Sequence, residues 1–526
     1  MLCLFLYLTY FSYAMFLHHD DSSSGGLIVI TVIIILVLLV KGVSKHEPIA
    51  RVCKLLSKHA KATRHLTRCL ILACVVITCV TLVTEVVLVR PENLISLTGI
   101  AAIFLTFFIT STHPHKISWQ PVISGLFLQY IFALTILRMP AVRGVFHWTG
   151  GVITVLVGFS KEGGRFLFGE TSKSGGFVFH LVPLIAFIVA LLAILEYLGV
   201  LHALLKIVGR FLAFCTGASP AEALNASANI FMGPVDSVMI IRPYLKHVTP
   251  SEIHCLMANA MSTVTGSIIG LYIVLGISAD HLLAASVMSA PAALSVAKLA
   301  VPETQKRLGK TLEEDMDQTK RYRSVMDAAS SGAISALTLG GAIIANVTAV
   351  ISFMEMINAT LRWLGGLVDV KNLTLQWICS YLFYPLALSL GVDVRDGRRV
   401  AELLGIKVFI NELVAYAKLG QFRKNRLLHE EYVSQNLTKW SVDNVTGDVF
   451  LPVWNVTLQE GFLSMRSEVI TTYALWGFAN FISVGVIVGC YLVLVPHQKM
   501  VVFKYVMRSM LVGHCASLLT ACIAGL

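Results

Sequence analysis

The stretch ASPAEALNASANIFMGPVDSVMIIRPYL, residues 218–245, is apolar enough to enter a membrane, but its helical pattern is interrupted. Gly233-Pro234 breaks it near the middle, and Pro243 breaks it again near the end. Proline has no backbone N–H, so each break frees main-chain groups that lipid cannot satisfy. We therefore predict two half-length helices around a polar tip, buried in protein or lining a wet cavity.

A second stretch of this kind, RVAELLGIKVFINELVAYAKLG, occupies residues 399–420 and has Asn411-Glu412 at its centre. Each predicted hairpin precedes a span with its own polar break, at 259–270 and at 473–489. The repeated order predicts two structural repeats, and in the expected topology the hairpins enter the membrane from opposite sides. This is the arrangement of an inverted repeat, and paired broken segments indicate a transporter binding site.

The composition also favours a membrane protein. The 526 residues are 56% hydrophobic and 13% charged, with a mean hydropathy of +0.77, whereas a soluble domain carries about 25% charged residues. We expect an all-α integral membrane protein, a multi-span helical transporter with two re-entrant hairpins. The net charge of +11 does not indicate a nucleic-acid partner, because eight basic residues cluster between Lys41 and Arg68, as in a short cytoplasmic loop.

Other function classes lack their motifs. The eleven cysteines are scattered and predict neither a disulfide framework nor a metal site. The sequence contains no Walker loop, Rossmann fingerprint or nucleophile elbow, so we expect neither ATP-driven transport nor an enzyme. No cofactor is expected beyond a coupling ion.

Topology follows from the basic loop, which places Met1 in the cytoplasm. The apolar run that begins there is interpreted as a signal anchor or first span, with a cleaved signal peptide as the alternative. Residues 143–176 mix glycine and charge with apolar residues too sparsely to span and are expected to form an interfacial helix. The runs expected to cross are 27–40, 69–89, 94–110, 120–138, 177–201, 264–277, 281–298, 332–354, 376–391, 468–494 and 501–524.

These runs divide the chain into five regions. They are 1–93, about three N-terminal spans with the basic loop; 94–176, the start of the core with the interfacial helix; 177–298, the first hairpin repeat; 299–331, a cytoplasmic loop; and 332–526, the second hairpin repeat. The loop 424–466 is expected outside, because it carries glycosylation sequons at Asn436, Asn444 and Asn455. This topology predicts a multi-pass plasma-membrane protein with an extracellular C-terminus and an unused, buried sequon at Asn225.

From about residue 95 to the end, the chain resembles the concentrative nucleoside transporters. The resemblance is carried, in order, by FVFHLVPLIAF, LEYLGV, NASANIFMG, IRPYL, SEIHCLM, LLAASVMSAPAAL, PET, INELVAY, RSEVITTYALWGFANF and CIAG. It implies nucleoside uptake coupled to sodium or, in some members, to protons. It also implies a homotrimer in the lipid bilayer, in which a scaffold holds a transport domain that moves like an elevator.

The resemblance assigns a substrate site in both repeats. The ribose-binding carboxylate corresponds to Glu412, and the ribose and base contacts that follow correspond to Asn480 and Ser483. Residues 480 and 483 share one helix face by their spacing, and a sugar diol is well held by a carboxylate and an amide. The expected substrate-binding residues are Asp236, Asn411, Glu412, Asn480, Phe481 and Ser483. The alternative for Glu412 is a helix–helix hydrogen bond that only holds the hairpin closed.

The first hairpin tip departs from the family pattern. Where the family has Gly-Gln-Thr-Glu, this chain has Gly233-Pro234-Val235-Asp236. The Gln and Thr side chains that contact the nucleobase are lost, and Asp236 takes the place of the Glu. Each lost hydrogen bond is worth roughly 0.5–1.5 kcal/mol, so base selectivity does not carry over. An atypical cargo, such as a nucleobase or modified nucleoside, and a non-transporting receptor therefore remain alternatives.

A sodium site is also implied by the resemblance. It would use the Asn229 side chain, the Thr263 hydroxyl and the carbonyl oxygens of Met232 and Val264. Hard cations prefer oxygen ligands, which unwound backbone can supply. The alternative is that Asn229 and Thr263 only hydrogen-bond each other between helices.

Overall fold

The computed structural model describes residues 91–169, 177–305, 322–370, 373–437, 439–443 and 447–526, with 9–13 and residues 31, 78, 80 and 84. The predicted N-terminal spans and basic loop lie almost wholly outside these residues. Eight helices of the described part are long and apolar enough to cross a membrane. The chain is therefore a multi-pass, mainly helical membrane protein, as its composition predicts.

The described residues of the first half of the core form ten α-helices. They are α1 (Ile95–Ile109), α2 (Trp119–Arg138), α3 (Pro140–Phe168), α4 (Phe177–Tyr197), α5 (Val200–Thr216), α6 (Pro220–Phe231), α7 (Pro234–Ile240), α8 (Pro250–Ser262), α9 (Gly266–Val274) and α10 (Ala279–Ala300). The first hairpin is the pair α6 and α7, and α8 and α9 are the halves of the first broken span. Both interruptions were predicted from the sequence.

The second half repeats this order after one long helix. Its helices are α11 (Val325–Gly366), α12 (Leu375–Leu382), α13 (Tyr384–Ser389), α14 (Gly397–Phe409), α15 (Glu412–Ser434), α16 (Met465–Ala474), α17 (Phe481–Leu494) and α18 (Lys499–Gly525). The second hairpin is α14 and α15, and the second broken span is α16 and α17. Helix α15 continues 14 residues past the predicted end at Gly420.

The predicted span at 376–391 is wrong. The structure divides this run into α12, of eight residues, and α13, of six. At 1.5 Å per residue neither helix can cross a hydrocarbon core of about 30 Å. Pro385 explains the division, because it has no N–H to continue the hydrogen bonding of α12, whereas proline suits the first turn of a new helix, α13. Removing this span leaves α11 as the one crossing between 299–331 and the second hairpin, which the expected inverted repeat requires.

The segment predicted to lie at the interface forms α3, one continuous helix of 29 residues. By length and composition it could cross a membrane, so the expectation that it is too sparse to span was wrong. Its interfacial position stays a prediction.

Helix α10 lies at the centre of the core. It is almost entirely buried and packs against α2, α8 and α18, while α18 packs along α8 and α16. The two repeats therefore share one interior. Helix α11 packs mainly on α4 and leaves much of its surface exposed.

The loop 424–466 contains a small structure that the sequence did not predict. Strands β1 (Ser441–Val442), β2 (Val449–Leu451) and β3 (Val456–Leu458) form an antiparallel sheet in that order. Its apolar side packs with Tyr432 at the end of α15. The sequon residues Asn436 and Asn455 are exposed, and Asn225 is fully buried.

The second hairpin packs closely on the first broken span. A Cβ at Gly420 would overlap the carbonyl oxygen of Leu275. Replacing Gly420 with Ala should therefore destabilise the protein by about 1–3 kcal/mol, the usual cost of overpacking. Thermal unfolding of the purified protein measures this as a lower melting temperature.

The matched control is Gly158→Ala in α3, where an added Cβ meets no atom within 4 Å. Its effect should be small, because alanine in an open helical position relieves a glycine penalty of about 0.5–1 kcal/mol. An equal effect of the two substitutions on melting temperature contradicts this packing.

Candidate functional site

The two hairpins, the two broken spans and α11 enclose a cavity of about 310 Å³. Its wall is mostly apolar, with polar side chains at the helix breaks. The polar lining residues are Asp236, Thr265, Asn346, Asn411, Glu412, Asn480 and Ser483. Five of the six expected substrate-binding residues therefore line one cavity, although they lie up to 247 positions apart in the sequence.

Two asparagines start the second half-helices of the second repeat. The side-chain oxygen of Asn411 accepts from the Val414 N–H at 2.9 Å, and that of Asn480 accepts from the Ser483 N–H at 2.8 Å. Each asparagine is the N-cap of its helix, α15 or α17. Such caps satisfy N–H groups that a helix start leaves open. In the second repeat, asparagine side chains at the breaks thus satisfy N–H groups of the helices that follow.

Glu412 is held at the cavity wall by one of these caps. The Asn480 side-chain N–H donates to Glu412 Oε2 at 2.8 Å, with Glu412 only 6% exposed and Asn480 only 2% exposed. Glu412 is also the first residue of α15, where the helix N-terminus favours a negative charge. This bond joins the hairpin to the broken span, as the alternative reading of Glu412 supposes, but the carboxylate also faces the cavity.

The structure does not bring Phe481 to the cavity with the other five predicted substrate-binding residues. Phe481 is 46% exposed, and its ring stacks on that of Phe409 with centroids 5.8 Å apart. Phe478 lines the cavity instead. Phe478 precedes the first residue of α17, so helical periodicity could not predict that it lines the cavity. The sequence feature that could have indicated it is its position two residues before the N-cap, Asn480.

Asp236 also lines the cavity and lies in the first turn of α7. Pro234 and Val235 line the cavity beside it. A Cβ at Gly233 would overlap the Thr265 side chain, so the first tip packs directly on the break of the first broken span. The two hairpins thus each present one first-turn carboxylate to the same cavity.

The expected ion ligands lie at the ends of α6 and α8, where the first hairpin and the first broken span are interrupted. Asn229 is fully buried, and its side-chain oxygen has no hydrogen-bond partner within the described part of the chain. Its N–H donates to Asn225 Oδ1 at 3.0 Å, and the Thr263 hydroxyl donates to the Asn259 carbonyl at 3.1 Å. The described contacts therefore do not support the alternative in which Asn229 and Thr263 satisfy each other.

The backbone around these side chains is unwound. Met232 and Thr263 are the extended C-caps of α6 and α8, so carbonyl groups near them leave the helical pattern. A Cβ at Gly266 would lie 2.8 Å from the Phe231 carbonyl oxygen, which places the two breaks against each other. An orphaned amide oxygen beside unwound carbonyls fits a small hard cation such as sodium.

A chain of hydrogen bonds connects Asn229 with the tip that carries Asp236. Asn229 donates to Asn225, the Asn225 N–H donates to Ser237 Oγ at 3.3 Å, and Ser237 Oγ donates to the Pro234 carbonyl at 3.0 Å. Sequence reasoning missed Asn225 and Ser237, because their pairing depends on how α7 folds back on α6.

Three family models match the chain. They describe the Na+-dependent nucleoside transporter N-terminus at residues 98–171, a nucleoside recognition (gate) region at 178–279, and the Na+-dependent nucleoside transporter C-terminus at 281–525. Together they cover almost the whole of the described core.

Curated relatives agree with the family models. The chain is 36% identical over 437 residues to sodium/nucleoside cotransporter 2 of Rattus norvegicus, covering 83% of this chain and 63% of that protein. It is 39% identical over 427 residues to solute carrier family 28 member 3 of Eptatretus stoutii, covering 81% and 59%. The chain thus spans about 60% of the length of these relatives.

Solved structures of CNTnw share the fold. The inward-facing, substrate-bound state has a TM-score of 0.72 and 29% identity, covering 82% of this chain and 97% of CNTnw. A doubly substituted CNTnw in an outward-facing state has a TM-score of 0.72 and 30% identity, covering 83% and 97%. With its two hairpins, two broken spans and shared cavity, the chain belongs to the Na+-dependent nucleoside transporter family.

Proposed function

We propose that the protein is a sodium-coupled nucleoside symporter that works by an elevator-like alternating-access mechanism. The observation that carries the proposal is the buried pair Glu412 and Asn480, which faces an apolar cavity of about 310 Å³ at the meeting point of both repeats. Such cavities typically hold small ligands in a few placed polar groups. The protein is proposed to be a transporter and not an enzyme.

The second repeat is proposed to bind the ribose. A carboxylate accepts several hydrogen bonds, and the Asn480 bond uses only part of the capacity of Glu412. The remaining lone pairs suit the two hydroxyl groups of a sugar. Ser483 offers a further hydroxyl, and Phe478 an aromatic face, in the same cavity.

The first repeat is proposed to bind sodium through Asn229, Thr263 and the carbonyl groups of Met232 and Val264. The unpartnered, fully buried oxygen of Asn229 supports this assignment. An unpaired buried acceptor costs about 1–3 kcal/mol, which an ion at this position removes. Proton coupling is a second candidate for the family as a whole, but neutral oxygen ligands favour sodium here.

Coupling is proposed to run through the hydrogen-bond chain from Asn229 to the first tip. Sodium that fixes Asn229 also fixes Asn225 and, through Ser237, the start of α7. Asp236 then faces the cavity in one orientation. Because linkage is reciprocal, bound nucleoside should raise the affinity for sodium by the same factor.

A second candidate cargo is a nucleobase or a modified nucleoside. Pro234 and Val235 give the base end of the cavity apolar groups where polar contacts would read a base. A non-transporting receptor is the third candidate; the intact pair of Glu412 and Asn480 disfavours it.

The wider assignments are also proposals. We propose a homotrimer in the plasma membrane, with a cytoplasmic N-terminus and an extracellular C-terminus. The exposed sequon residues Asn436 and Asn455 support an extracellular position for 424–466.

Replacing Glu412 with Gln should weaken nucleoside binding strongly. A hydrogen bond to a charged group contributes about 1.5–3 kcal/mol, so the apparent affinity should fall roughly tenfold to a hundredfold. Sodium-dependent uptake of radiolabelled nucleosides measures this, with surface expression quantified in parallel.

The matched control is Glu402→Gln on the same hairpin. Glu402 pairs with Lys418 and does not line the cavity, so the apparent affinity should be unchanged. If Glu412→Gln binds nucleosides as tightly as this control, Glu412 is not in the substrate site.

Replacing Asn229 with Ala should raise the sodium concentration for half-maximal uptake. Loss of one neutral ligand contributes roughly 0.5–1.5 kcal/mol, or about threefold to tenfold in concentration. The matched pair Thr263→Ser and Thr263→Val should differ in this sodium concentration. Only the serine variant keeps the hydroxyl, so only the valine variant should need more sodium. An unchanged sodium dependence of Asn229→Ala places the ion elsewhere.

Restoring the family tip tests the cargo. The triple change Pro234→Gln, Val235→Thr and Asp236→Glu should add two hydrogen-bonding side chains and lengthen the carboxylate. We expect apparent affinity for ordinary pyrimidine nucleosides to rise by about one to two decades, at roughly 0.5–1.5 kcal/mol per bond. A purine and pyrimidine panel, assayed in sodium and in choline, measures the change. An unchanged base preference shows that the tip does not set the cargo.

A further inference from the structure

Lys407 is a fully buried lysine that the substrate and sodium sites do not use. It lies in α14, the first half of the second hairpin, and its side chain is 0% exposed. Its Nζ donates to the Ala474 carbonyl at 2.9 Å and to the Trp476 carbonyl at 2.7 Å. A buried ammonium is costly unless oxygen acceptors surround it. The end of α16 supplies them, where the helix dipole also favours a positive charge.

The position of Lys407 corresponds to that of Asn229 in the repeat. Asn229 is the third residue from the end of α6, which ends at Phe231, and Lys407 is the third from the end of α14, which ends at Phe409. In each case a short break follows, and then the half-helix that carries the cavity carboxylate.

The acceptors correspond in the same way. Val264 is the second residue after the end of α8, and Trp476 is the second after the end of α16. The proposed sodium ligand Val264 therefore has the Trp476 carbonyl as its equivalent, and that carbonyl accepts from Lys407. A hydroxyl on α18 contributes as well, because Ser517 also donates to Trp476.

The two positions differ in the charge of their side chains. Asn229 brings a neutral amide whose oxygen has no partner in the described structure, so a positive charge must come from solution. Lys407 brings its own positive charge on a chain long enough to reach the carbonyl groups. The first repeat therefore needs an ion to supply a positive charge at this position, whereas the second repeat supplies that charge with Lys407.

We propose that the Lys407 ammonium is a resident cation that occupies, in the second repeat, the position equivalent to the sodium site of the first. The protein would therefore couple one sodium ion to each nucleoside. Lys407 is a positioning residue, because it does not line the cavity and fixes the break before Asn480 through the carbonyl groups of Ala474 and Trp476. This inference rests on the proposed function. The opposite view is that Lys407 is a hydrogen-bonding strut whose charge has no bearing on ion coupling.

The first test counts charges in the unaltered protein. In voltage-clamped oocytes, nucleoside-evoked charge and radiolabelled nucleoside uptake are measured in the same cell. We expect a ratio of about one charge per nucleoside and a sodium Hill coefficient of about one, as for a single coupled site. A ratio of two overturns the inference and needs no variant.

The second test exchanges the equivalent side chains. Lys407→Asn should open a second ion position, raising the charge ratio and the sodium Hill coefficient from about one to about two. Lys407→Arg keeps the charge and should keep both values. Lys418→Asn, a lysine of the same hairpin paired with Glu402 and Glu460, is the matched control and should leave both values unchanged.

The reciprocal variant covers the case in which Lys407→Asn does not reach the surface. Asn229→Lys places an ammonium in the first repeat and should permit nucleoside binding with choline in place of sodium. A continued absolute requirement for sodium overturns the equivalence of the two positions. The equivalence is also overturned if the Lys407→Asn protein reaches the surface and keeps the charge ratio and the Hill coefficient of the unaltered chain.

Failure of the proposed function is separable from failure of this inference. If the unaltered protein, shown to be at the surface, evokes no sodium-dependent uptake of any nucleoside, the proposed function fails. Sodium titrations of the melting temperature of the purified protein then decide about Lys407. The Lys407→Asn protein should show a second sodium-dependent stabilisation, and its absence overturns the inference.

Discussion

The hydrogen bond from Asn480 to Glu412 is the interaction on which the site depends. A helix broken inside an apolar interior leaves N–H groups that lipid cannot satisfy. Asn480 meets this constraint with one oxygen, which caps α17, while its N–H holds the Glu412 carboxylate at the start of α15. One side chain therefore closes the backbone and positions the binding group. Changing it uncaps a helix and frees a buried carboxylate together.

The two repeats meet the same constraint differently. In the second, asparagine caps and the Lys407 ammonium complete both breaks from within the chain. In the first, the N-caps Gly233 and Thr265 make no side-chain capping bond, and the Asn229 oxygen is without a partner among the described residues. An element that lacks partners is the one whose order a ligand can change. The asymmetry supports the proposal that an ion orders the first hairpin, whereas the second hairpin is ordered by its own side chains.

Local chemistry predicted the parts of this structure that a single segment decides. Gly-Pro and Asn-Glu inside apolar runs predicted both hairpins, because the residues at a break are themselves what interrupts the helix. The run at 376–391 is apolar on average, so its hydropathy predicted a span. A mean over the run does not register the single proline, Pro385, that divides it into two short helices. Phe478 lines the cavity and Phe481 does not. Helical spacing could not predict this, because Phe478 precedes the first residue of α17. Lys407 escaped notice since its acceptors lie 67 and 69 residues away, and only the packed repeat brings them together.

The charge of the cavity limits what it can carry. Asp236 and Glu412 line it from opposite repeats, each in the first turn of a helix whose N-terminus favours an anion. None of the described lining residues is Lys, Arg or His. A phosphate group entering this space would meet two carboxylates and no cationic side chain of the lining, and like charges in a mostly apolar wall repel strongly. The same carboxylates accept hydrogen bonds from hydroxyl and amino groups. The cavity therefore favours a neutral, donor-rich ligand over a phosphorylated one.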